Sequence, residues 1–375
     1  MKNFKKIIAI IMVTAMVVAC FAGCGEENGT SGDTFFIGAT GPLTGSVMSY
    51  GVSVKNGAQL AVEEINAAGG LDGINFTFEM LDDKATAEDA ATGYDQLFDK
   101  GMNLSLGSVT SGSCEAFATK AAKDKLFFIT PSASAANVIE NRPTAFRVCF
   151  GDPDQGILAA DELSKTYTKI GAIYDSSDDY SSGIYAAFES EMKKLGKAYT
   201  VQSFDKENNR DFSTQVEALK DCEVIFLPIY YTEAGLIAKA CVSKGVNALL
   251  FGCDGLDGVA GQIDSTVTNT IKYITPFDVN STEEKTANFV KSYTAKYNTA
   301  PDQFAADGYD AIYTIFEALK AAGVKDTKLE AAEMSEKIIA ALTAETFSYK
   351  GVTGGMTWDA SCACTKVPVI VELGK

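Results

Sequence analysis

Apolar and polar positions along this chain fall into two alternating rhythms. From Thr34 onward, short continuous apolar runs are separated by amphipathic stretches of helical period. The runs read TFFIGA, INFTFEML, NLSLGSV and LFFITP, then KIGAIYD, YTVQSF, EVIFLPIY, LLFGCD and IKYITPF. Rich in β-branched and aromatic residues, they predict strands of parallel sheets covered on both faces. Between them, SVKNGAQLAVEEINAAGG, AEDAATGYDQLFDKG, YSSGIYAAFESEMKKLG, DFSTQVEALKD and EAGLIAKACVSKG predict helices, the first closing on glycines. Strict alternation predicts a doubly wound α/β architecture. After IKYITPF the rhythm changes to three helical segments, EEKTANFVKSYTAKY, FAADGYDAIYTIFEALKAAG and KLEAAEMSEKIIAALTA, and two late strands around GGMTW and KVPVIVEL. Helices with no strand between them predict a chain that returns to cover an earlier sheet.

Ligands of open α/β sheets bind outside the carboxyl ends of the strands. The segments that follow the predicted strands are small and hydroxylic: ATGPLTG, GSVTSGS, TPSASAA, YDSSDDYSSG, PIYYTEAG and GCDGLDG. Two of them, Ser111–Ser113 and Ser132–Ser134, are expected to open directly into helices, where hydroxyls and free N–H groups suit an anion. The first loop, Thr40–Gly51, ends its run of glycines beside Tyr50.

The first residues follow a different rule. MKNFKK and the apolar IIAIIMVTAMVVACFAGC form the basic and hydrophobic regions of a secretory leader. The leader ends in small residues before cysteine, which resembles a lipobox. Cys20 and Cys24 compete for the lipid. Cys24 is preferred, because it leaves the longer hydrophobic region and is followed at once by the polar tether GEENGTSGD. The apolar run is shorter than a comfortable membrane span.

At 375 residues the chain is long enough for two domains. Without residues 1–23 it carries 29 basic and 49 acidic residues, a formal charge of −20, which disfavours nucleic acid as a partner. Histidine is absent, which removes Ser-His-Asp and Cys-His catalysis and almost every catalytic zinc site. Beyond Cys20 and Cys24, seven cysteines remain, odd in number and irregular in spacing, and they suggest no disulfide framework. The acidic DKENNRDF lacks the central glycine and terminal glutamate of an EF-hand loop. No metal or cofactor is expected.

The ordered set GATGPLTGSVMSYG…NGAQLAVEEINAAGGLDG, GSVTSGS, ITPSAS, FRVCFGDPDQG, FGCDG, FSYKGVTGGMTWD and the terminal IVELGK resembles the periplasmic-binding-protein family typified by the leucine/isoleucine/valine-binding protein. The resemblance covers essentially Thr34 to Lys375. It implies two α/β lobes joined by three crossovers, near Phe146–Asp152, Ile274–Phe277 and Phe347–Gly351. Lobe one would comprise 34–148 and 277–347, and lobe two 149–276 and 348–375, after a leader (1–23) and a tether (24–33).

By resemblance, Tyr50 lines the pocket for the ligand's side chain and Ser111 binds its carboxylate. Ser134 contacts both ends of an amino acid, and the Ser132 carbonyl takes the ammonium. Tyr180 and Tyr230 close over the ligand, with Tyr231 a rival for the second role. Asp254 binds the α-ammonium, while Asp257, three residues on, is expected to be a bystander. The early disulfide of the best-known members is missing, because Cys114 has no partner in the preceding loop.

The residues suit that chemistry without the family. Hydroxyls and N–H groups satisfy a carboxylate, and a carboxylate satisfies an ammonium. The resemblance implies a monomeric extracytoplasmic lipoprotein, anchored through Cys24 at the outer face of the cytoplasmic membrane. It would capture a free amino acid, branched-chain or otherwise aliphatic, and deliver it to the permease of an ABC importer. The alternative is a sensing receptor component of the same fold that binds an amide, an aromatic acid or a short peptide.

Overall fold

The computed structural model describes residues 34–373. Cys20, Cys24 and the tether lie outside the described residues. The strands are β1 (Thr34–Gly41), β2 (Asn75–Asp82), β3 (Leu104–Gly107), β4 (Phe128–Thr130), β5 (Ala145–Arg147), β6 (Ile170–Asp175) and β7 (Thr200–Phe204). They continue with β8 (Val224–Leu227), β9 (Leu249–Gly252), β10 (Ile271–Thr275), β11 (Tyr349–Gly351), β12 (Gly354–Trp358), β13 (Cys364–Thr365) and β14 (Val369–Glu372). The α-helices are α1 (Met48–Ala67), α2 (Ala87–Asp99), α3 (Ser111–Asp124), α4 (Ala136–Ile139), α5 (Asp152–Thr166) and α6 (Asp179–Lys194). They continue with α7 (Ser213–Ala218), α8 (Tyr231–Lys244), α9 (Glu284–Tyr297), α10 (Gln303–Ala321) and α11 (Ala331–Leu342).

Two large sheets form. One has the order β2-β1-β3-β4-β5 and is parallel throughout. The other has the order β14-β10-β9-β8-β6-β7, with β14 alone antiparallel. Central strands β3 and β8 are buried at every residue, as a parallel sheet with two covered faces requires. Helix ends follow local chemistry. Thr86 caps α2 by accepting from the Asp89 N–H, and Asp178 caps α6 by accepting from Ser181. Gly245 ends α8 in the left-handed conformation, φ 68°.

Crossings between the sheets set the two lobes. The chain leaves the first sheet after β5 and the second after β10. The late helices return to the first lobe, as their unbroken helical pattern suggests: α10 lies along α1, α9 touches α1, and α11 packs on α10. A Cβ on Gly57 of α1 would stand 1.9 Å from the Ala305 carbonyl, so glycine sets this close approach. Residues 349–365 form a small sheet of their own, β11-β12-β13. The chain rejoins the six-stranded sheet only at Val369, later than the point near Phe347–Gly351 expected from the sequence. Two elements at the first crossover, β5 and α5, escape the apolar pattern. The former is three residues long, and the latter starts on Asp152-Pro153 with Asp154 accepting from the Gly151 N–H at 3.1 Å, a turn-like sequence that also begins helices.

Buried ionic groups fasten the crossovers. Lys366, just before β14, has its side chain fully enclosed and pairs with Asp307 of α10 at 2.8 Å. Asp310, one turn on, accepts from Val352 N–H and Thr353 N–H, each at 2.9 Å. The Arg147 guanidinium donates to the carbonyls of Ser134 and Ala135, and its own carbonyl accepts from Trp358 Nε1 at 2.7 Å.

Asp257, expected to take no part in ligand binding, holds a structural contact instead. Its carboxylate accepts from the Gln303 N–H at 2.9 Å, at the start of α10, where Asp302 is the cap that accepts from Ala305 N–H. A helix start therefore holds two carboxylates, one from each lobe. Burial, with Asp257 adding repulsion, pushes Asp302 up to about 7, and burial raises Asp257 as well.

Two predictions follow from these contacts. Lys366→Ala leaves Asp307 buried and unpaired, and should cost about 3–5 kcal/mol in urea unfolding, whereas Lys366→Met with Asp307→Leu should recover most of it. An unchanged midpoint in the single variant would show that the pair holds nothing. Secondly, carboxyls raised above their unfolded values bind more protons when folded, so stability falls as pH rises through that window. The wild type should lose melting temperature between pH 5.5 and 8, and Asp257→Asn, which keeps an acceptor for Gln303, should lose less. Equal losses would refute the coupling.

Candidate functional site

The carboxyl ends of both sheets meet at one small cavity. From the first lobe come Tyr50 near the start of α1, Val109, Thr110 and Ser111 after β3, Ser132 after β4, and Phe304 at the start of α10. From the second come Tyr180 after β6, Tyr230 after β8, and Asp254 and Gly255 after β9. The cavity measures about 10 Å³, the room of one water molecule. The lobes are closed on each other. Tyr50 O–H donates to the Gly255 carbonyl at 2.5 Å and accepts from the Tyr231 N–H at 3.2 Å. Tyr231 O–H and Thr232 O–H both donate to the Ser46 carbonyl at 2.8 Å.

Six of the seven residues singled out by sequence line this cavity. The seventh, Ser134, is fully buried behind it and does not line it. Tyr230 faces the cavity, stacked on Tyr180 with ring centroids 4.9 Å apart, while Tyr231 serves as the cross-lobe tie to Ser46. Tyr50 belongs to the first turn of α1 rather than to the loop, because the helix begins at Met48. The loop Ser132–Ser134 leads only to the single turn α4, so it does not open directly into a helix as expected. Ser111 is the first residue of α3, and its Oγ accepts from the Ala135 N–H at 3.2 Å. Ser132 O–H donates to the Val109 carbonyl at 2.8 Å. The two hydroxyl loops thus hold each other in place.

Asp254 supplies the cavity's only carboxylate among its lining residues. It is 4% exposed and accepts from Tyr180 O–H at 2.7 Å, and Tyr180 Oη in turn accepts from the Gly255 N–H at 2.8 Å. Backbone contacts fix the loop: Asp254 N–H donates to Gln155 Oε1, and Gln303 Nε2 donates to the Asp254 carbonyl. Burial raises the Asp254 carboxyl to about 6 against the pull of Tyr180. Burial also lifts Tyr50, Tyr180 and Tyr230 well above the ordinary phenol range, so all three stay neutral.

Phe304 is, with Val109 and Thr110, a lining residue that sequence reasoning did not single out. It stacks on Tyr50 at 4.1 Å between centroids. Its signal was its place just after the capping Asp302, at the start of a helix that returns to the first lobe. A larger open recess of about 550 Å³ borders Asp257, Asp278, Asp302 and Glu372. It has no basic lining residue and none of the hydroxyl loops, so it offers a carboxylate little. Among the described residues no group of three or more histidine, cysteine, aspartate or glutamate side chains could hold a metal ion. All seven described cysteines are free thiols. No helix among the described residues is long and apolar enough to cross a membrane.

Comparison with known proteins bears on the same features. The sequence profile of the periplasmic binding protein family matches residues 34–365. The Leu/Ile/Val-binding protein BraC3 of Rhizobium johnstonii is 29% identical over 320 residues, 82% of each chain. A leucine-, isoleucine-, valine-, threonine- and alanine-binding protein of Pseudomonas aeruginosa is 26% identical over 357 residues, 93% of this chain and 91% of that protein. Among solved structures, the leucine-binding protein LivK of Thermotoga maritima superposes with a TM-score of 0.82 at 25% identity, covering 91% of this chain and 97% of that one. LivJ of Streptococcus pneumoniae, solved with isoleucine, gives 0.76 at 28% identity, covering 90% and 99%. A match spanning both lobes and the hydroxyl loops shows that the chain belongs to the periplasmic binding protein family, and that it is a two-lobed solute-binding protein, not an enzyme.

Proposed function

We propose that this protein captures a free amino acid with an aliphatic side chain between its lobes and hands it to the permease of an ABC importer. Asp254 carries the reading. A buried carboxylate facing hydroxyls of the opposite lobe provides for an ammonium at one end and a carboxylate at the other. Ser111 and Ser132 present hydroxyls on one side of the cavity, while Tyr50, Tyr230 and Phe304 present ring surface for an apolar side chain. Sequence relatives named for leucine, isoleucine and valine support the same class. The cavity's volume implies that lobes 34–148 with 277–347 and 149–276 with 348–375 part about the crossovers to admit such a molecule. The protein works as a monomer, tethered outside the cytoplasm by a lipid on Cys24.

The ligand reading is tested by melting protein that has been unfolded and refolded to strip it, with each of the twenty amino acids in turn. A ligand at about 100 times its dissociation constant adds roughly 2.7 kcal/mol, a shift of several degrees. Leucine, isoleucine or valine should give the largest shift, and Asp254→Asn, which keeps an acceptor for Tyr180, should weaken binding by about 30- to 4000-fold, or 2–5 kcal/mol. A shift with benzoate or a sugar and none with any amino acid would overturn the assignment. So would an Asp254→Asn variant that binds within threefold of wild type.

For the tether, Cys24→Ala should release the protein from the membrane fraction with binding intact. Release by Cys20→Ala instead would move the lipid to that residue, and retention of both variants would remove the lipid anchor.

A further inference from the structure

Strand β2 ends at Asp82, and a second aspartate, Asp83, follows it at once. Asp82 accepts from the Leu43 N–H at 2.9 Å and the Thr44 O–H at 2.6 Å, in the loop that leads to Tyr50. Asp83 is fully buried. Its Oδ2 accepts from the Ser108 O–H at 2.5 Å, and its Oδ1 accepts from the Ala85 N–H at 2.9 Å. Because the sheet order is β2-β1-β3, the Ser108 contact reaches across β1 to the loop after β3. Two adjacent carboxylates thus hold two of the segments that bring residues to the ligand cavity.

The turn after Asp83 is strained. Lys84 and Ala85 lie consecutively in the left-handed region, at φ 51° and 58°. Residues other than glycine stay there only where their surroundings fix them. Asp82 accepts from the Lys84 N–H at 3.0 Å, as Asp83 does from Ala85. The Asp83 carboxylate is therefore anchored by the turn on one side and grips Ser108 on the other.

Ser108 leads into α3 through Val109 and Thr110, and every carbonyl on the way is engaged. The Ser108 carbonyl accepts from Thr130 O–H and the Val109 carbonyl from Ser132 O–H, each at 2.8 Å. The Thr110 carbonyl accepts from the Cys114 N–H at 2.9 Å. In a trans peptide the next N–H points away from the carbonyl before it. The N–H groups of Val109, Thr110 and Ser111 are thereby turned away from these donors, on three residues that line the cavity. The first N–H groups of a helix also lack partners within it. Every member of this set lies in or directly after a strand of the first sheet, so the arrangement does not depend on the lobes being closed.

We infer that Asp83 is a positioning residue for the carboxylate end of the ligand. It does not line the cavity. Through Ser108 it sets the angle of the Val109–Ser111 turn, and so makes the protein prefer a free carboxylate to a carboxamide. The inference rests on the amino-acid reading above and names the residue behind one half of it.

Calorimetric titration of the whole mature protein with leucine and with leucinamide tests this. At pH 7, below the usual α-amine range of about 7.7–8.0, both probes carry an ammonium, and they differ at the other end. The wild type should prefer leucine by about 10- to 100-fold, the range expected for hydrogen bonds to a charged group. Asp83→Ala should weaken leucine and leave leucinamide within threefold, so that the preference collapses. Asp83→Asn, which keeps an oxygen to accept from Ser108, should restore most of it. A merely structural role for Asp83 would weaken both probes alike. A preference that persists in Asp83→Ala therefore overturns the inference and leaves the amino-acid reading standing, as does unchanged leucine affinity. A wild type that binds no amino acid overturns the reading and the inference with it. Should Asp83→Ala fail to fold, Ser108→Ala decides, because it removes the same contact and leaves Asp83 on Ala85: it too must lose the preference for leucine.

Discussion

Charge buried in the seam between two lobes must be matched atom by atom, and that requirement shapes the regions around the crossovers. An enclosed ion pair is costly unless every lone pair and proton is answered. Lys366 finds Asp307 on α10, and Asp310 one turn away is answered by the backbone of Val352 and Thr353. Arg147 is answered by two carbonyls and, through its own carbonyl, holds Trp358 of the small sheet. These contacts join segments from all three passes of the chain. The small sheet β11-β12-β13 belongs to this fastening more than to either large sheet.

Tyrosine handles the opposite problem at the cavity, where apolar wall and polar contact must coexist. Each ring buries its face against another ring, Tyr50 on Phe304 and Tyr230 on Tyr180, while the hydroxyls span polar atoms of both lobes. The Tyr50 hydroxyl donates to Gly255 and accepts from Tyr231, so one oxygen uses both of its capacities across the cleft. The Tyr180 hydroxyl does the same between Gly255 and Asp254 within one lobe. Both arrangements are pairwise and directional, and the first is available only when the lobes meet.

Sequence pattern revealed the strands well because their signal is local. Runs such as EVIFLPIY and LLFGCD are apolar enough to need burial on two faces, and they became β8 and β9. The cavity residues were legible for a related reason: strand ends mark where a ligand can sit, and Ser111, Ser132, Tyr180, Tyr230 and Asp254 all follow strands. What stayed hidden depends on tertiary approach. Phe304 lines the cavity because α10 returns to α1. Asp257 matters because α10 begins beside it. Ser134 sits two positions beyond the lining Ser132, yet it is fully buried and does not line the cavity. No local spacing encodes these three facts.

The return of the late helices also decides the order in which the molecule can be completed. Tyr309 on α10 donates to Glu64 on α1 across 245 residues, and Tyr297 on α9 reaches the Asn56 carbonyl across 241. The second lobe draws all but one of its strands from a continuous stretch, Ile170 to Thr275, with β14 added at an edge. A nascent chain thus emits the beginning of lobe one first but cannot cover it until α10 appears. The later-made lobe has its neighbours at hand and can close sooner. Contacts of such long sequence separation are slow to form, so the apolar face of α1 is the surface left longest in the open, the place where a chaperone would find this protein.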